Sequence, residues 1–300
     1  MDPHFLRTFV TVAECGSFSA AASQLSYTQS AVSQQIAALE ADLGAVLLHR
    51  RPVAVTEAGA RLLEHARPIL LRLDAARAEV ARAAGSPPAQ VTVGVTPLAA
   101  PCLVRVLAGA LRAHPRADVT VRVAGRAAAG GGLATGSLDL AVVDGVAMPG
   151  DPLRLPDTGP ATTVGITEQE LVVVLPSGHP LAGWPGLRLA DLADARWLDA
   201  PETGLPLADL RQVTASDGFR PSLGYQGTDV ATLLTLVAAG HGLAVLPASA
   251  LAGAASVTGV PVLAPPLVQR VELVHGTLTG PLAVELAARL TALAPGPPFS

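Results

Sequence analysis

The chain has 300 residues, half of them apolar, with 20 basic and 24 acidic side chains and a formal net charge of −4. That length predicts two or three compact units rather than one small module. The acidic balance excludes a general basic coat for nucleic acid, and every basic residue is arginine, since lysine is absent.

The opening MDPHFLRTFV carries an acid and a proline ahead of its apolar run, so it does not read as a signal peptide. Residues 4–14 form an amphipathic helix with Phe5, Phe9, Val12 and Ala13 on one side. Gly16-Ser17 ends it, and Ser17 is a good N-cap for a helix over 18–25 that turns Ala21, Ala22 and Leu25 inward. After the turn at Ser26-Tyr27, Thr28 caps a third helix. Its Val32, Ile36, Leu39 and Leu43 follow helical spacing, and Gly44 stops it. Val46–His49 and Val53–Thr56, joined through Arg50-Arg51-Pro52, read as the strands of a wing.

A long helical pattern follows from Glu57 to about Ala84, spanning ~40 Å. Leu62, Ile69 and Ala76 are seven apart, as are Ala66, Leu73 and Val80, which predicts a seam for pairing with another helix. Pro68 falls inside the pattern and predicts a kink near residue 64. Gly85-Ser86-Pro87-Pro88 reads as a linker. Beyond it the texture is α/β. Strands are expected at Val91–Val95, Val119–Val123, Leu138–Val143, Leu171–Leu175, Leu243–Leu246 and Val271–His275, with helices at 102–113, 130–137, after Thr228 and at 281–294. Such alternation predicts parallel sheets covered by helices. No apolar run is long enough for a membrane span, so a cytoplasmic protein is expected. Cys15 and Cys102 lie in different expected units and read as reduced, buried thiols; no Cys/His spacing suits a metal.

The three N-terminal helices have the spacing of a helix-turn-helix, whose second helix enters the major groove N-terminus first. The residues placed there are Thr28, Gln29, Ser30, Ser33 and Gln34, with Ser17 and Ser19 flanking. Glutamine can bond adenine bidentately, and helix N-terminal amides reach phosphate without lysine. Arg50 and Arg51 at the wing tip are candidates for an adjacent minor groove, with Thr56 behind them. Residues 1–60 hold three arginines against five acids, a net −2, so a few placed contacts must replace bulk attraction.

The stretch from Phe5 to Gly59 resembles the DNA-binding domain of the LysR-type transcriptional regulators. The resemblance is carried by Gly16-Ser17-Phe18, Ala21-Ala22, Leu25, the run from Gln29 to Ile36, Leu39-Glu40, Leu43-Gly44 and Thr56-Glu57-Ala58-Gly59. Further on, GSLDLA at 136–141, SGHPL at 177–181 and VAAGHGLAVLP at 237–247 resemble the family's effector domain. The chain departs from the family at Leu48, at Gln34 where many relatives carry arginine, at His241, and in its short wing.

The resemblance implies an α/β protein overall. An all-α winged helix-turn-helix spans 1–58, a dimerising linker helix and hinge 59–88, and two subdomains of periplasmic-binding-protein type 89–300. The first subdomain takes 89–164 and 268–300, the second 165–267, with crossovers near 164–168 and 265–269 as the hinge. A small-molecule effector of unidentified chemistry is expected in the cleft, with no other cofactor. Ligands of open sheets sit at strand ends and helix starts, which nominates Thr96, Pro97, Arg126, Asp144, Thr203, Gly204 and Thr228. Arg126 and Asp144 matter most, because a buried charge selects the charge of its ligand. Implied partners are double-stranded promoter DNA, a second copy of the chain, a tetramer through further contacts between effector halves, and RNA polymerase if the protein activates.

Two other classes make different demands on the sequence. An enzyme would show a nucleophile elbow, a phosphate loop or a His/Asp/Ser arrangement, and the sequence carries none of these. A small-molecule carrier whose N-terminal helices only dimerise it would lack sequence-specific DNA binding.

Overall fold

The structure, a computed structural model, describes residues 1–50, 52–84, 90–155 and 161–294. It divides into two compact units, Met1–Ala81 and Arg82–Ser300. Arg51 and the segment 85–89, which holds the expected linker, lie outside the described residues.

In the first unit each helix begins and ends on a local signal. Helix α1 (Pro3–Cys15) starts with Asp2 accepting the His4 amide and stops at Gly16, whose φ of 58° is left-handed. Helix α2 (Phe18–Leu25) is capped by Ser17, and α3 (Gln29–Leu43) by Thr28 and, at its end, Gly44. Strands β1 (Leu48–Arg50) and β2 (Val53–Val55) pair antiparallel as the wing. Helix α4 (Glu57–Ala84) runs on continuously with Pro68 inside it. The core joins Leu6, Phe9 and Val12 of α1 to Ala21, Val32, Ile36 and Leu39, and takes Ala66 and Leu70 from α4. Thr8 is also buried; its hydroxyl donates to Gln35 Oε1 at 2.6 Å and bolts α1 to α3.

The second unit opens as βαβαβ: β3 (Gln90–Val95), α5 (Ala100–Ala113), β4 (Asp118–Val123), α6 (Arg126–Ala134) and β5 (Leu140–Ala147). Next comes the long β6 (Thr162–Pro176), then β7 (Leu187–Arg188), β8 (Trp197–Asp199), α7 (Leu207–Thr214), β9 (Pro221–Gly224), α8 (Val230–Ala238) and β10 (Ala244–Pro247). The described chain closes with β11 (Val257–Ala264), β12 (Val268–His275) and α9 (Pro281–Thr291). The main sheet runs β4-β3-β5-β12-β6-β11-β7, with β10 also on β6, and β8 pairs β9 separately.

Parallel pairing is found at β3/β4 and β3/β5, each crossover carrying a helix, and in the second half at β8/β9 and β7/β11. The returning strand β12 lies antiparallel to both β5 and β6. Strand β6 starts nine residues before the expected Leu171. Its first part, Thr162–Glu170, pairs with β12, and Leu171–Pro176 pairs with β10 and β11. The same strand therefore belongs to both halves of the unit, and the passage between them falls at Glu170 and Leu171.

Each half has its own core. In the first, Val93, Val95 and Val142 pack with Val271 and Leu273 of β12 and with Leu103 and Leu286 from helices α5 and α9. In the second, Trp197 is fully buried, stacked obliquely on Phe219 at 5.5 Å, and its indole N–H donates to Leu192 O. Among the described residues, no helix is long and apolar enough to cross a membrane.

Candidate nucleic-acid interface and effector cleft

Helix α3 turns Val32, Ile36 and Leu39 inward, and this leaves a polar outer face of Gln29, Ser30 and Gln34, with Ser33 half-buried beside them. Thr28 sets the start of that face, accepting the Ala31 amide at 3.2 Å and lying 3.0 Å from Ser30 Oγ. Ser19 is exposed on α2. Tyr27, just before the cap, is 45% exposed and was not among the sequence candidates. An aromatic in a turn gives no periodic signal, so only the geometry brings it to this face.

Several candidate hydroxyls are already engaged. Ser17 Oγ accepts the Ala20 amide. Thr56 donates to Val46 O at 2.7 Å and accepts the Gly59 amide, which fastens the wing to the start of α4. At Gly59 a Cβ would lie 2.1 Å from Leu47 O, so this close approach requires glycine. Arg50 is held as well: its guanidinium stands 5.1 Å from the Phe18 ring centroid and 3.4 Å from Glu40 Oε2. Glu40 Oε1 also accepts the amides of Leu47 and Leu48. Glu40 is thus the clamp between recognition helix and wing, a role its place in sequence did not signal.

The expected pairing seam on α4 needs a correction at its start. Ala66 is fully buried in the core of its own winged unit, and Leu62 packs against that core. Arg67 pairs with Glu14 at 3.1 Å and pins the same stretch to α1. Ala66 therefore has no surface to offer a partner. Beyond it, Ile69, Ala76 and Val80 are exposed and Leu73 is half-buried, still at helical spacing.

In the second unit, Thr96 directly follows β3 and is buried. Its hydroxyl donates to Asp144 Oδ1, and its oxygen accepts the Asp144 amide at 2.9 Å. Gln269, 1% exposed on β12, donates Nε2 to Asp144 Oδ2 at 3.2 Å, which leaves its Oε1 without a partner in the buried floor. Cross-strand from Gln269 stands Gln169, which lines a cavity of about 570 Å³ with Pro97, Leu98, Cys102, Arg105 and Val230. Thr96 and Asp144 are therefore bonded to each other, and the neighbouring Pro97 lines that cavity. Burial pushes the Cys102 thiol up; nearby Arg105 pulls it down by less, and Asp144 adds to the rise.

The other candidates lie elsewhere. Arg126 opens α6 and lines a second cavity of about 410 Å³ with Asp151, Arg154, Leu205 and Asp209. Thr203 is buried and donates its hydroxyl to Gly227 O, while the Gly204 amide bonds Ala200 O. Both serve the geometry of their turns. Thr228 is exposed, one residue before Asp229, which caps α8. Hydrogen bonds from Thr232 hold the Asp229 carboxyl below its ordinary range.

Among the contacts that join the halves of this unit are those of Leu98 and Glu202. Leu98, from the first half, packs against the second half's core around Leu198, Leu233 and Leu246. Glu202, from the second half, lies against Gly125 at the start of α6. Both lie in segments whose strand-end positions mark them in sequence, but the contacts themselves do not show there. Gln269 carried a legible sign, because it shares a strand face with buried Val271 and Leu273. Glu272 lies on the opposite face of β12, next to buried Val274 on that face. It is fully buried, accepts the Leu153 amide, and pairs with Arg270, which also bonds Glu168 at 2.6 Å. Burial works against the Arg270 charge, but its bonds to Glu272 and Glu168 outweigh it and raise the group above its ordinary value. Among the described residues no cluster of His, Cys, Asp or Glu is arranged to hold a metal.

Residues 3–60 match the family model of the bacterial regulatory helix-turn-helix proteins of the lysR family, and residues 84–291 match the LysR substrate binding domain. The chain belongs to the LysR family. It is similar to a probable hydrogen peroxide-inducible genes activator of Mycobacterium avium, 34% identical over 249 residues that cover 82% of this chain and 77% of that protein. Among solved structures it resembles full-length BenM, with a TM-score of 0.57 at 24% identity and full coverage of both chains. It also resembles the Corynebacterium glutamicum OxyR C206 mutant, with a TM-score of 0.51 at 28% identity, covering 97% of this chain and 91% of that one. This LysR-type chain is a transcriptional regulator with a helix-turn-helix for DNA and a domain for a small-molecule effector.

Proposed function

We propose that this LysR-type regulator reads operator DNA through the outer face of α3 and is switched by a small molecule bound between the halves of its second unit. The observation that supports the first part most is the face of Gln29, Ser30, Ser33 and Gln34, backed by an apolar core and begun by a capped helix start. Gln29 and Gln34 are the base readers, Ser30 and Ser33 bond bases or phosphates, and Thr28 and Tyr27 border the groove. Arg50, restrained by Phe18 and Glu40, shapes the wing more than it probes a minor groove. Ser17 and Thr56 act as caps, and Arg51 remains a phosphate contact by its position beside the wing strand.

Binding at two half-sites rests on pairing through Ile69, Leu73, Ala76 and Val80 of α4. A dimer, and a tetramer through further contacts between effector halves, would multiply weak modules. RNA polymerase becomes a partner if the protein activates.

The effector end we assign to Thr96, Pro97 and Asp144 with Gln169 and Gln269: Pro97 and Gln169 line the cavity, and cross-strand from Gln169 stands Gln269, which bonds Asp144 and keeps a buried acceptor without a partner. Peroxide is a poor fit as the signal. The chain has 2 cysteines, and the second unit's Cys102 is buried with its thiol pushed up, so little thiolate is available for oxidation.

The test is a footprint on DNA from upstream of the protein's own coding region, at several salt concentrations. Gln29→Ala and Ser33→Ala are expected to weaken specific binding, by ~1–3 kcal/mol for a lost bidentate base contact. A carrier that merely dimerises through its N-terminal helices would give no footprint. Thermal-shift screening of metabolites against the full chain tests the cleft; hits whose shift survives Gln169→Leu and Asp144→Asn would remove the effector from this end.

A further inference from the structure

Gly125 stands at the start of α6 with φ −68° and ψ 167°, a conformation open to any residue. Backbone freedom is therefore not the reason for glycine here. Space is the reason: a Cβ at this position would lie 1.1 Å from Glu202 Oε2 and 2.3 Å from its carboxyl carbon. The Glu202 carboxylate occupies the room a side chain at 125 would need. Gly125 is buried and belongs to the first half of the effector unit, whereas Glu202 comes from the turn after β8 in the second half.

That turn is firmly set. The amides of Thr203 and Gly204 bond Ala200 O, and the Thr203 hydroxyl ties it to Gly227 O. Its acid is presented on a rigid mount, not on a wandering loop. On the receiving side, α6 has no side-chain cap of its own, and its first-turn amides carry the positive end of the helix dipole.

We propose that Glu202 is a latch across the effector cleft: its carboxylate, seated in the gap left by Gly125, holds the two halves of the unit together, and an effector engages the cleft by displacing it. The inference rests on the cleft being the effector site, but the latch is tested without any effector. An anion bound at α6 would compete with Glu202 directly. A neutral or cationic molecule would displace it indirectly, entering at the Asp144 end and prying Leu98 from its seat. The latch thus sets a charge preference by filling the start of α6 with an acid of the chain's own.

The experiment is hydrogen exchange of the full chain, read over peptides covering 125–134 and 198–206, for three variants. Glu202→Ala is expected to speed exchange in both segments by about tenfold, because opening becomes easier. Glu202→Gln, which keeps the shape but not the charge, should fall between it and the parent. Gly125→Ser supplies α6 with its own cap and evicts Glu202, so 125–134 should stay protected while 198–206 speeds up. A loss of protection over the whole unit in Gly125→Ser, or no change in either segment in Glu202→Ala, would overturn the latch. Neither result would touch the cleft assignment, which stands or falls on the thermal-shift variants at 144 and 169.

Discussion

Glu40→Ala is the sharpest perturbation of the DNA-binding unit. Glu40 Oε1 accepts the Leu47 amide at 2.8 Å and the Leu48 amide at 3.3 Å, and Oε2 faces Arg50 at 3.4 Å. Truncation leaves two partly buried amides without partners, at about 1–3 kcal/mol each. The Arg50 pair adds only ~0.2–1 kcal/mol, since that guanidinium is half exposed. The expected loss is therefore about 2–7 kcal/mol. For a unit of this size each kcal/mol lowers the midpoint by about 4–8 °C, so a fall of roughly 10 °C or more is expected. The assay is thermal unfolding of the full chain followed by circular dichroism, where the first unit's transition should move and the second unit's should not. Glu40→Gln keeps one carbonyl acceptor and should retain more than half of the difference. A midpoint for Glu40→Ala within about 2 °C of the parent would refute the clamp, because the magnitude leaves no room for so small a change.

Other outcomes follow from neighbouring features. Gly59→Ala should displace the wing strand from α4, because its Cβ meets the Leu47 carbonyl at 2.1 Å; a footprint that keeps its wing-side boundary would contradict this. Val80→Glu is expected to break the dimer in sedimentation while leaving the first unit's melting point unchanged, whereas Ala66→Leu should lower that melting point by overpacking a site with no free space. Cys102 should alkylate more slowly than the same residue in the denatured chain at pH 8. Its raised pKa leaves less thiolate at that pH, and the gap should narrow as pH rises; equal rates measured by mass spectrometry would remove the burial argument. Acidification should weaken the start of α8. The Asp229 carboxyl is held low, so its support is present above the ordinary aspartate range and is lost as pH falls through the folded value, which hydrogen exchange over 230–234 can follow.

Much of the first unit was legible because its signals are local. Ser17, Thr28, Gly16 and Gly44 mark helix ends by chemistry that acts within one turn of chain, and the helices begin and end at them. What escaped there depends on distance in sequence. Glu40 reaches the wing eight residues on, and Ala66 turns inward because α4 lies against α1 through Arg67 and Glu14, which a heptad count cannot see. In the second unit the β3–β5 alternation was plain, but β6 was read as starting at Leu171. Its earlier part, Thr162–Glu170, is only partly buried and so carries Thr, Gln and Glu in a pattern that does not read as a strand. The direction of β12 was equally hidden, since antiparallel return is a property of the connection, not of the residues. At the effector end, Thr96 and Asp144 are legible as strand-end polar residues and Glu202 as part of the turn at 201–204, whereas the bond from Gln269 to Asp144 and the contact of Glu202 with Gly125 join distant segments and appear only in the fold.

Strand β6 also constrains what kind of signal this protein can send. Its first nine residues are registered against β12 and its last six against β10 and β11, so no slip is open to it: a shift of one residue would turn every side chain to the opposite face and empty both cores. The halves cannot slide past each other. What the register leaves open is a change in twist of the strand they share. On the proposed reading an arriving molecule would be recorded as that twist, with the ladder between β6 and β12 as a torsion spring and Glu202 as its catch.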